Sequence, residues 1–176
     1  PEDGVISPGG DGYDINCGMR LIRTDLSLSE VQPKLELLMT ELFRRVPAGV
    51  GSRGFVNLSR HDFRDVMRQG AGWCISKGYG WEEDLERIEE RGCLEGADPT
   101  HVTDYAIERG INQLGTLGSG NHYLEIQVLS DKGIYDRATA AAMGLTGRDQ
   151  VVVLVNCGLR GFGHQVGSDY VKELVQ

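Results

Sequence analysis

Three segments of the chain have the polarity pattern of strands. In residues 18–26 (GMRLIRTDL) and again from His122 onward (HYLEIQVLS), apolar and polar side chains alternate, which is typical of strands with one buried face. Residues 150–156 (QVVVLVN) are instead continuously apolar, which indicates a strand buried on both faces. We therefore predict three strands, the last of them in the core.

Other segments place apolar residues at helical spacing. The clearest lies between Ser29 and Pro47, where apolar residues form one face and Pro33 is tolerated in the first turn. Asp62 is the predicted N-cap of a second helix that reaches about Lys77. Four more helices are predicted over residues 82–92, from Asp98 to about Arg109, over residues 138–145, and from His164 onward.

Glycine is concentrated where these elements end. The chain has 25 glycines in 176 residues, about twice ordinary usage, clustered as GGDG, GVGSRG, LGSGN and GLRGFG. Such clusters favour backbone held close to a ligand or in turns with positive φ. The alternative is a loop-rich domain with many tight turns.

Charge and cysteine usage narrow the class of protein. A net charge of −8 is unlike that of basic nucleic-acid-binding modules, although bound metal ions can carry an anionic substrate. The four cysteines include no CxxC pair, which argues against a disulfide scaffold and a zinc ribbon and favours a reducing cytoplasm. No apolar run is long enough to span a membrane.

The ends of the sequence lead to an expectation about its completeness. The sequence opens on Pro1 rather than methionine and stops at Gln176 within a helical pattern. We expect residues 1–176 to be a single partial domain, truncated at both termini.

The first candidate for chemistry is the segment DINCG. Asp14 and Cys17 lie three residues apart beside a glycine, close enough for a carboxylate and a thiolate to share one metal ion or bridge two. This donor pair suits zinc, or manganese where oxygen ligands dominate. The alternative is an Asx-turn at Asp14 with an inert, buried Cys17.

Two glycine turns are the other candidates. GSGNH places His122 at a strand end behind backbone NH groups that can form an anion nest, although it matches no Walker or Rossmann pattern. In the turn NCGLRGFGH, Arg160 can hold a phosphate bidentately, and the helix predicted from His164 adds a favourable dipole. The alternatives are structural: His122 is then only a histidine at a strand end, and NCGLRGFGH is only a strand-to-helix turn.

The motifs taken together resemble one family. The series resembles the RtcB-type RNA-splicing ligases in order and spacing over nearly the whole chain, with DINCG and LGTLGSGNHYLE as its most specific parts. The supporting motifs are GVGS, GCLEGADP and GLRGFGHQVGSDY. The resemblance implies an α+β fold of stacked mixed β-sheets with surrounding helices, incomplete in this chain.

The resemblance also implies a reaction and its participants. That family joins RNA ends carrying a 2′,3′-cyclic phosphate or 3′-phosphate to 5′-hydroxyl ends, as in tRNA splicing and RNA repair, using GTP, two Mn²⁺ ions and a guanylylated histidine. By motif, Asp14, Cys17 and His122 are the expected metal ligands, with the Cys17 thiolate bridging both ions. Asn121 is expected to contact the nucleotide phosphate and Glu125 the guanine. The remainder of the polypeptide and, as an open question, a helper protein complete the expected partners.

The chain departs from the family pattern at specific positions. Asn156 stands where the family usually has a metal-binding histidine, so either Cys157 substitutes, or the second ion binds weakly, or the protein has drifted from ligation. Leu159 replaces a serine, and Asp11 replaces an apolar residue, where it either adds an outer carboxylate or faces solvent.

The nucleophilic histidine is the largest expected absence. None of the other histidines, His61, His101 and His164, lies in a matching motif, so we expect no catalytic nucleophile in this chain and no guanylate adduct on it. Two further hypotheses stay open. One is a non-catalytic relative that binds RNA or phosphate, which Asn156 favours and which an HRKGA-like segment downstream would argue against. The other is a metal-dependent phosphatase or nuclease built from the same residues.

Overall fold

The sheet contains the three strands expected from the sequence. The computed structural model describes residues 4, 10 and 12–175. Strands β1 (Gly18–Ser27), β2 (Tyr123–Leu129) and β3 (Gln150–Cys157) form one antiparallel sheet in the order β1-β3-β2. The central place of β3 explains its continuous apolar sequence, since Val151 and Val152 are only 3% and 2% exposed.

Helices surround this sheet, so the α+β class is confirmed. Stacked mixed sheets stay a prediction, because the described residues form the one antiparallel sheet. The α-helices are α1 (Leu28–Val31), α2 (Leu35–Arg45), α3 (Arg60–Gln69), α4 (Ala71–Ser76), α5 (Asp104–Gly110), α6 (Arg137–Ala142) and α7 (Arg160–Val175). Short 3-10 segments lie at Gln32–Lys34, Glu82–Arg87, Glu89–Gly92, Pro99–His101 and Asp131–Gly133.

The first two predicted helices exist, but each is divided into two and begins at a different residue from the predicted one. The N-cap of α1 is Ser27, whose backbone NH and hydroxyl both bond Glu30, and a 3-10 segment containing Pro33 separates α1 from α2. In α3 the N-cap is Ser59, while Asp62 is the third helical residue and closes a reciprocal capping box with it. Gly70, at φ +54, ends α3 and divides it from α4.

Three other helix predictions were wrong in extent. The charged stretch 82–92 forms two 3-10 segments, because Glu90 and Arg91 take positive φ angles and interrupt any α-helix. Asp98 caps only a 3-10 turn, and α5 begins later, with Thr103 as its N-cap. Helix α7 begins four residues before His164, at Arg160.

The α5–α7 pair forms the helical part of the core. Ile107 of α5 is fully buried, and Phe162 of α7 packs edge-on against Phe63 with ring centroids 5.2 Å apart. A Cβ at Gly110 would lie 2.6 Å from the Cβ of Phe162, so a larger residue would push the helices apart. This packing fixes the first turn of α7 relative to the sheet.

Strand register brings three loops to one end of the sheet. Gly18, the first residue of β1, pairs with Cys157, the last of β3, and Tyr123, the first of β2, pairs with Asn156. Since both outer strands run antiparallel to β3, the residues before β1, before β2 and after β3 converge. These are the three segments that the sequence singles out for chemistry.

Much apolar surface is exposed on α2 and β1. Helix α2 has no buried residue, and Phe43 and Leu37 are 92% and 64% exposed. On the edge strand β1, Met19 and Ile22 are each 54% exposed. The described structure thus leaves large apolar side chains of both elements exposed to solvent. No helix in the described residues combines the length and apolar character needed to cross a bilayer.

Candidate metal centre

Three side chains from two of the converging loops form one cluster. The ligand atoms of Asp14, Cys17 and His122 lie within 4.8 Å of one another. His122 Nε2 is 2.6 Å from Asp14 Oδ2 and 3.5 Å from Cys17 Sγ. The His122 side chain is 3% exposed and that of Asp14 23%, whereas Cys17 is exposed, so an ion would enter from the Cys17 side.

The Asp14–Cys17 turn is held by the chain that follows β3. The backbone NH of Arg160 donates to Asp14 Oδ1 at 2.7 Å, and the NH of Leu159 donates to the Ile15 carbonyl at 3.0 Å. A Cβ at Gly158 would lie 2.7 Å from Asp14 Oδ2, so only glycine lets the carboxylate approach this backbone. Asp14 Oδ1 is thus engaged by this backbone, and Oδ2 faces His122 Nε2 at 2.6 Å.

Arg160 occupies the other side of the His122 ring. Its Nη1 lies 3.3 Å from His122 Nδ1, and its φ is +57°, in the left-handed region that costs a non-glycine residue free energy. An arginine can only donate, so His122 Nδ1 accepts and Nε2 carries the proton toward Asp14. With an ion at Nε2, the ring proton would have to lie on Nδ1, where it would face another donor. Ion binding at Nε2 would therefore compete with this Arg160 contact.

Two amides flank the Cys17 sulfur. Asn121 Nδ2 donates to Cys17 Sγ at 3.5 Å, and the Cys17 thiol donates to Asn156 Oδ1 at 3.6 Å. Asn156 is buried at 8% exposure, and its Nδ2 lies 3.5 Å from the Gly18 carbonyl. Both asparagines thus orient the sulfur within the cluster.

Cys157 does not take part in the cluster. Its Sγ lies 3.2 Å from the Leu117 carbonyl and 3.5 Å from that of Thr116, because successive strand residues point to opposite faces. Burial raises the pKa of the Cys157 thiol. Of the alternatives that the sequence left open for Asn156, substitution by Cys157 finds no support in this arrangement, and all three stay predictions.

The remaining residues named from the sequence lie apart from the cluster. Glu125 is exposed in β2 and accepts from Gln127 Nε2 at 2.7 Å. His61 pairs with Asp65 and His101 with Asp98, while His164 stacks on Tyr13. Asp11 lies outside the described residues. The roles of Asn121, Glu125 and Arg160 toward nucleotide or RNA stay predictions.

Gly118 lets Arg160 and His122 approach the backbone closely, which sequence reasoning did not identify by itself. Its φ is +109°, and a Cβ there would collide with the Arg160 guanidinium and the His122 ring. Its carbonyl accepts from the NH of Gly49 at 2.6 Å, which ties this loop to the GVGS turn. The GSG pattern indicated a special backbone without indicating which side chains would approach it.

Comparison with known proteins places the whole chain in one group of sequences. The family profile described as "tRNA-splicing ligase RtcB" matches residues 1–176. The "tRNA-splicing ligase RtcB" proteins of Pyrobaculum aerophilum and Thermococcus kodakarensis are each 55% identical to this chain, over 97% of its length and 35% of theirs. The protein of that name from Methanococcus maripaludis is 47% identical over 96% of the chain and 35% of the relative. The chain thus spans about a third of the length of these relatives.

Proposed function

Because this chain belongs to the tRNA-splicing ligase RtcB family, we propose that the protein carrying it is an RNA ligase. It joins 2′,3′-cyclic phosphate or 3′-phosphate ends to 5′-hydroxyl ends, with GTP and Mn²⁺ as cofactors. In the family's fold of stacked mixed sheets, the sheet described above is one layer. The observation that carries the proposal is the convergence of Asp14, Cys17 and His122 within 4.8 Å of one another.

The donor set fits a divalent transition ion. Carboxylate oxygen, thiolate and imidazole are ligands for such ions, and three protein donors leave open positions for a substrate. Mn²⁺ is at the weak end of the divalent affinity order, so zinc is expected to bind this set more tightly in a direct competition. Bound by Asp14, Cys17 and His122, such an ion would neutralise phosphate oxygens and would lower the pKa of an attacking group.

The chain's own residues bind and orient around that ion. Asp14 is aligned by the Arg160 backbone NH, and Asn121 donates to the Cys17 sulfur. With an ion at His122 Nε2, the Arg160 guanidinium would be available to bind a phosphate bidentately. In the proposed reaction Asn121 also contacts the nucleotide phosphate, and Glu125 reads the guanine.

Replacing Arg160 by alanine is expected to strengthen the binding of Mn²⁺ and to weaken the binding of phosphate. Mn²⁺ should bind about threefold to tenfold more tightly, because a nearby positive charge and the competing His122 contact are both removed. Inorganic phosphate should bind more weakly to the Mn²⁺-loaded protein. Calorimetric titrations measure both affinities. The control is Arg137→Ala, which removes a positive charge from α6 instead. Weaker Mn²⁺ binding in the Arg160 variant would contradict the competition.

Ligation by the natural-length protein tests the proposed function. The substrate is an RNA pair with a 2′,3′-cyclic phosphate and a 5′-hydroxyl, with and without GTP and Mn²⁺. The expected result is joining that requires both cofactors and is lost in Cys17→Ala. Residues 1–176 alone should take up no label from radiolabelled GTP, because the histidines in the described part of the chain other than His122 lie outside the cluster. A stable adduct on that piece would contradict this assignment.

Asn156 favours a second candidate, a non-catalytic relative that binds RNA or phosphate. Its neutral amide stands beside the Cys17 sulfur, where the family resemblance implies an imidazole ligand. If this second candidate is correct, the natural-length protein should bind RNA with a terminal phosphate but should join no RNA ends at any concentration of Mn²⁺ or GTP.

A further inference from the structure

One carboxylate oxygen of Asp14 is held by the first turn of α7. Asp14 Oδ1 accepts from the backbone NH of Arg160, the first residue of that helix, at 2.7 Å. The other oxygen, Oδ2, faces His122 Nε2 at 2.6 Å. The NH groups of a first helical turn have no partner within the helix, so this bond satisfies one of them and also orients the carboxylate. The placement of the α7 N-terminus therefore sets the placement of a proposed metal ligand.

The side chain of Gln113 holds the next NH of that turn. Its Oε1 accepts from the Gly161 NH at 2.9 Å, and a Cβ at Gly161 would lie only 3.0 Å from the same oxygen. Arg160 has a φ of +57°, and a residue in this region persists only where the surrounding contacts hold it. The bonds from Asp14 and Gln113 fix the NH groups on both sides of the Arg160 α-carbon, and so hold this conformation.

The backbone of Gln113 belongs to the segment that leads from α5 to His122. Its NH donates to the Gly110 carbonyl at 2.7 Å, and its carbonyl accepts from the NH and the hydroxyl of Thr116 at 3.0 and 2.7 Å. Thr116 is itself buried, at 7% exposure. Gln113 thus extends from a fixed turn, and its side chain ties the segment that carries His122 to the helix that aligns Asp14.

We propose that Gln113 is a positioning residue of the metal centre, which acts on the Asp14 carboxylate through the first turn of α7. Without the Gln113 bond the Arg160 NH can shift, and the Asp14 carboxylate can then turn away from His122. Groups that orient metal ligands in this indirect way typically contribute 10–100-fold to metal affinity. The inference rests on the proposed function in taking Asp14 as a ligand of Mn²⁺.

Gln113→Ala in the natural-length protein tests this role. Mn²⁺ should bind about 10-fold more weakly by isothermal titration, because the α7 N-terminus loses one of the bonds that place it. Gln113→Glu keeps an acceptor for the Gly161 NH and should recover most of that affinity, also at raised ionic strength, where its added charge is screened. Unchanged Mn²⁺ affinity in Gln113→Ala, or equal losses in both variants, would overturn the positioning role.

Gln165→Ala is the matched control. Gln165 also joins α7 to α5, since it accepts from Arg109 Nη1 at 2.9 Å and donates to Asp169 at 2.6 Å, but it lies in the second turn of the helix. Its loss should lower the free energy of unfolding and leave Mn²⁺ affinity within about twofold of the unmodified protein. A loss of Mn²⁺ affinity as large as that of Gln113→Ala would mean that general loosening of α7 accounts for both, and would overturn the proposal.

Folding of the variants and binding by the unmodified protein are checked separately. Should Gln113→Ala fail to fold, Gln113→Met, which keeps the volume of the side chain without its acceptor, takes its place with the same expected loss. Failure of the unmodified, folded protein to bind Mn²⁺ would overturn the proposed metal site itself. Normal binding that is insensitive to Gln113 would overturn the positioning role alone.

Discussion

Replacing Cys17 by alanine is expected to weaken Mn²⁺ binding by more than about 100-fold. Loss of a residue that merely supports a ligand typically costs 10–100-fold in metal affinity, and Cys17 is itself a proposed ligand, with its Sγ 3.5 Å from His122 Nε2. His122→Ala should have an effect of the same size, because it removes the buried nitrogen that faces both other ligands. Isothermal titration of Mn²⁺ into the natural-length protein measures each affinity.

Cys157→Ala is the matched control for the cysteine variant. It removes a thiol one residue beyond Asn156 whose Sγ contacts the Leu117 and Thr116 carbonyls, so Mn²⁺ affinity should stay within about twofold of the unmodified protein. Equal losses from the two cysteine variants would mean that unfolding, rather than ligand removal, accounts for the effect. Unimpaired binding in Cys17→Ala would contradict the placement of the site.

Gly118→Ala is expected to lower both stability and Mn²⁺ affinity. A non-glycine residue in the positive-φ region costs about 1–3 kcal/mol, and here the added Cβ would also collide with the Arg160 guanidinium and the His122 ring. We expect a total loss of about 3 kcal/mol or more in the free energy of unfolding. His122 would be displaced from Asp14, so the ion should bind more weakly.

Gly120→Ala separates backbone strain from collision. Gly120 also has a positive φ, +75°, but a Cβ there would have no neighbour within 4 Å. This variant should lose only about 1–2 kcal/mol and keep its Mn²⁺ affinity. Denaturant unfolding of both variants gives the comparison. If Gly118→Ala and Gly120→Ala lost similar amounts of stability and metal affinity, the close approach of Arg160 and His122 at Gly118 would contribute to neither property.

The sheet and its helical surroundings followed from polarity patterns. Alternating polarity in residues 18–26 identified β1, and the continuous apolar run in residues 150–156 identified β3, since strand pairing and burial act on neighbouring positions in the chain. Helix ends were less predictable. Asp62 and Ser59 are both capable caps, and only the reciprocal hydrogen bonds show that Ser59 is the N-cap. In residues 82–92 the charged composition favoured an α-helix, but the left-handed residues Glu90 and Arg91 divide it.

The candidate site was predictable in its residue types and motifs but not in its contacts. DINCG directed attention to Asp14 and Cys17, and GSGNH to His122, which lies 105 residues after Cys17 in the sequence. Their meeting depends on the register of Gly18 and Tyr123 against β3, which no local pattern encodes. The contact between Arg160 and His122 likewise depends on a left-handed backbone at Arg160, which its side chain gives no reason to expect.

The most direct test of the central claim is the absorption spectrum of the Co²⁺-substituted protein. Cobalt accepts the same carboxylate, thiolate and imidazole donors, and a bound thiolate gives an intense charge-transfer band. The metal centre described here predicts that band in the unmodified protein and in Cys157→Ala, and its loss in Cys17→Ala. Bound Co²⁺ without the band, or a band that survives in Cys17→Ala, would contradict the assignment of Cys17 to the metal centre.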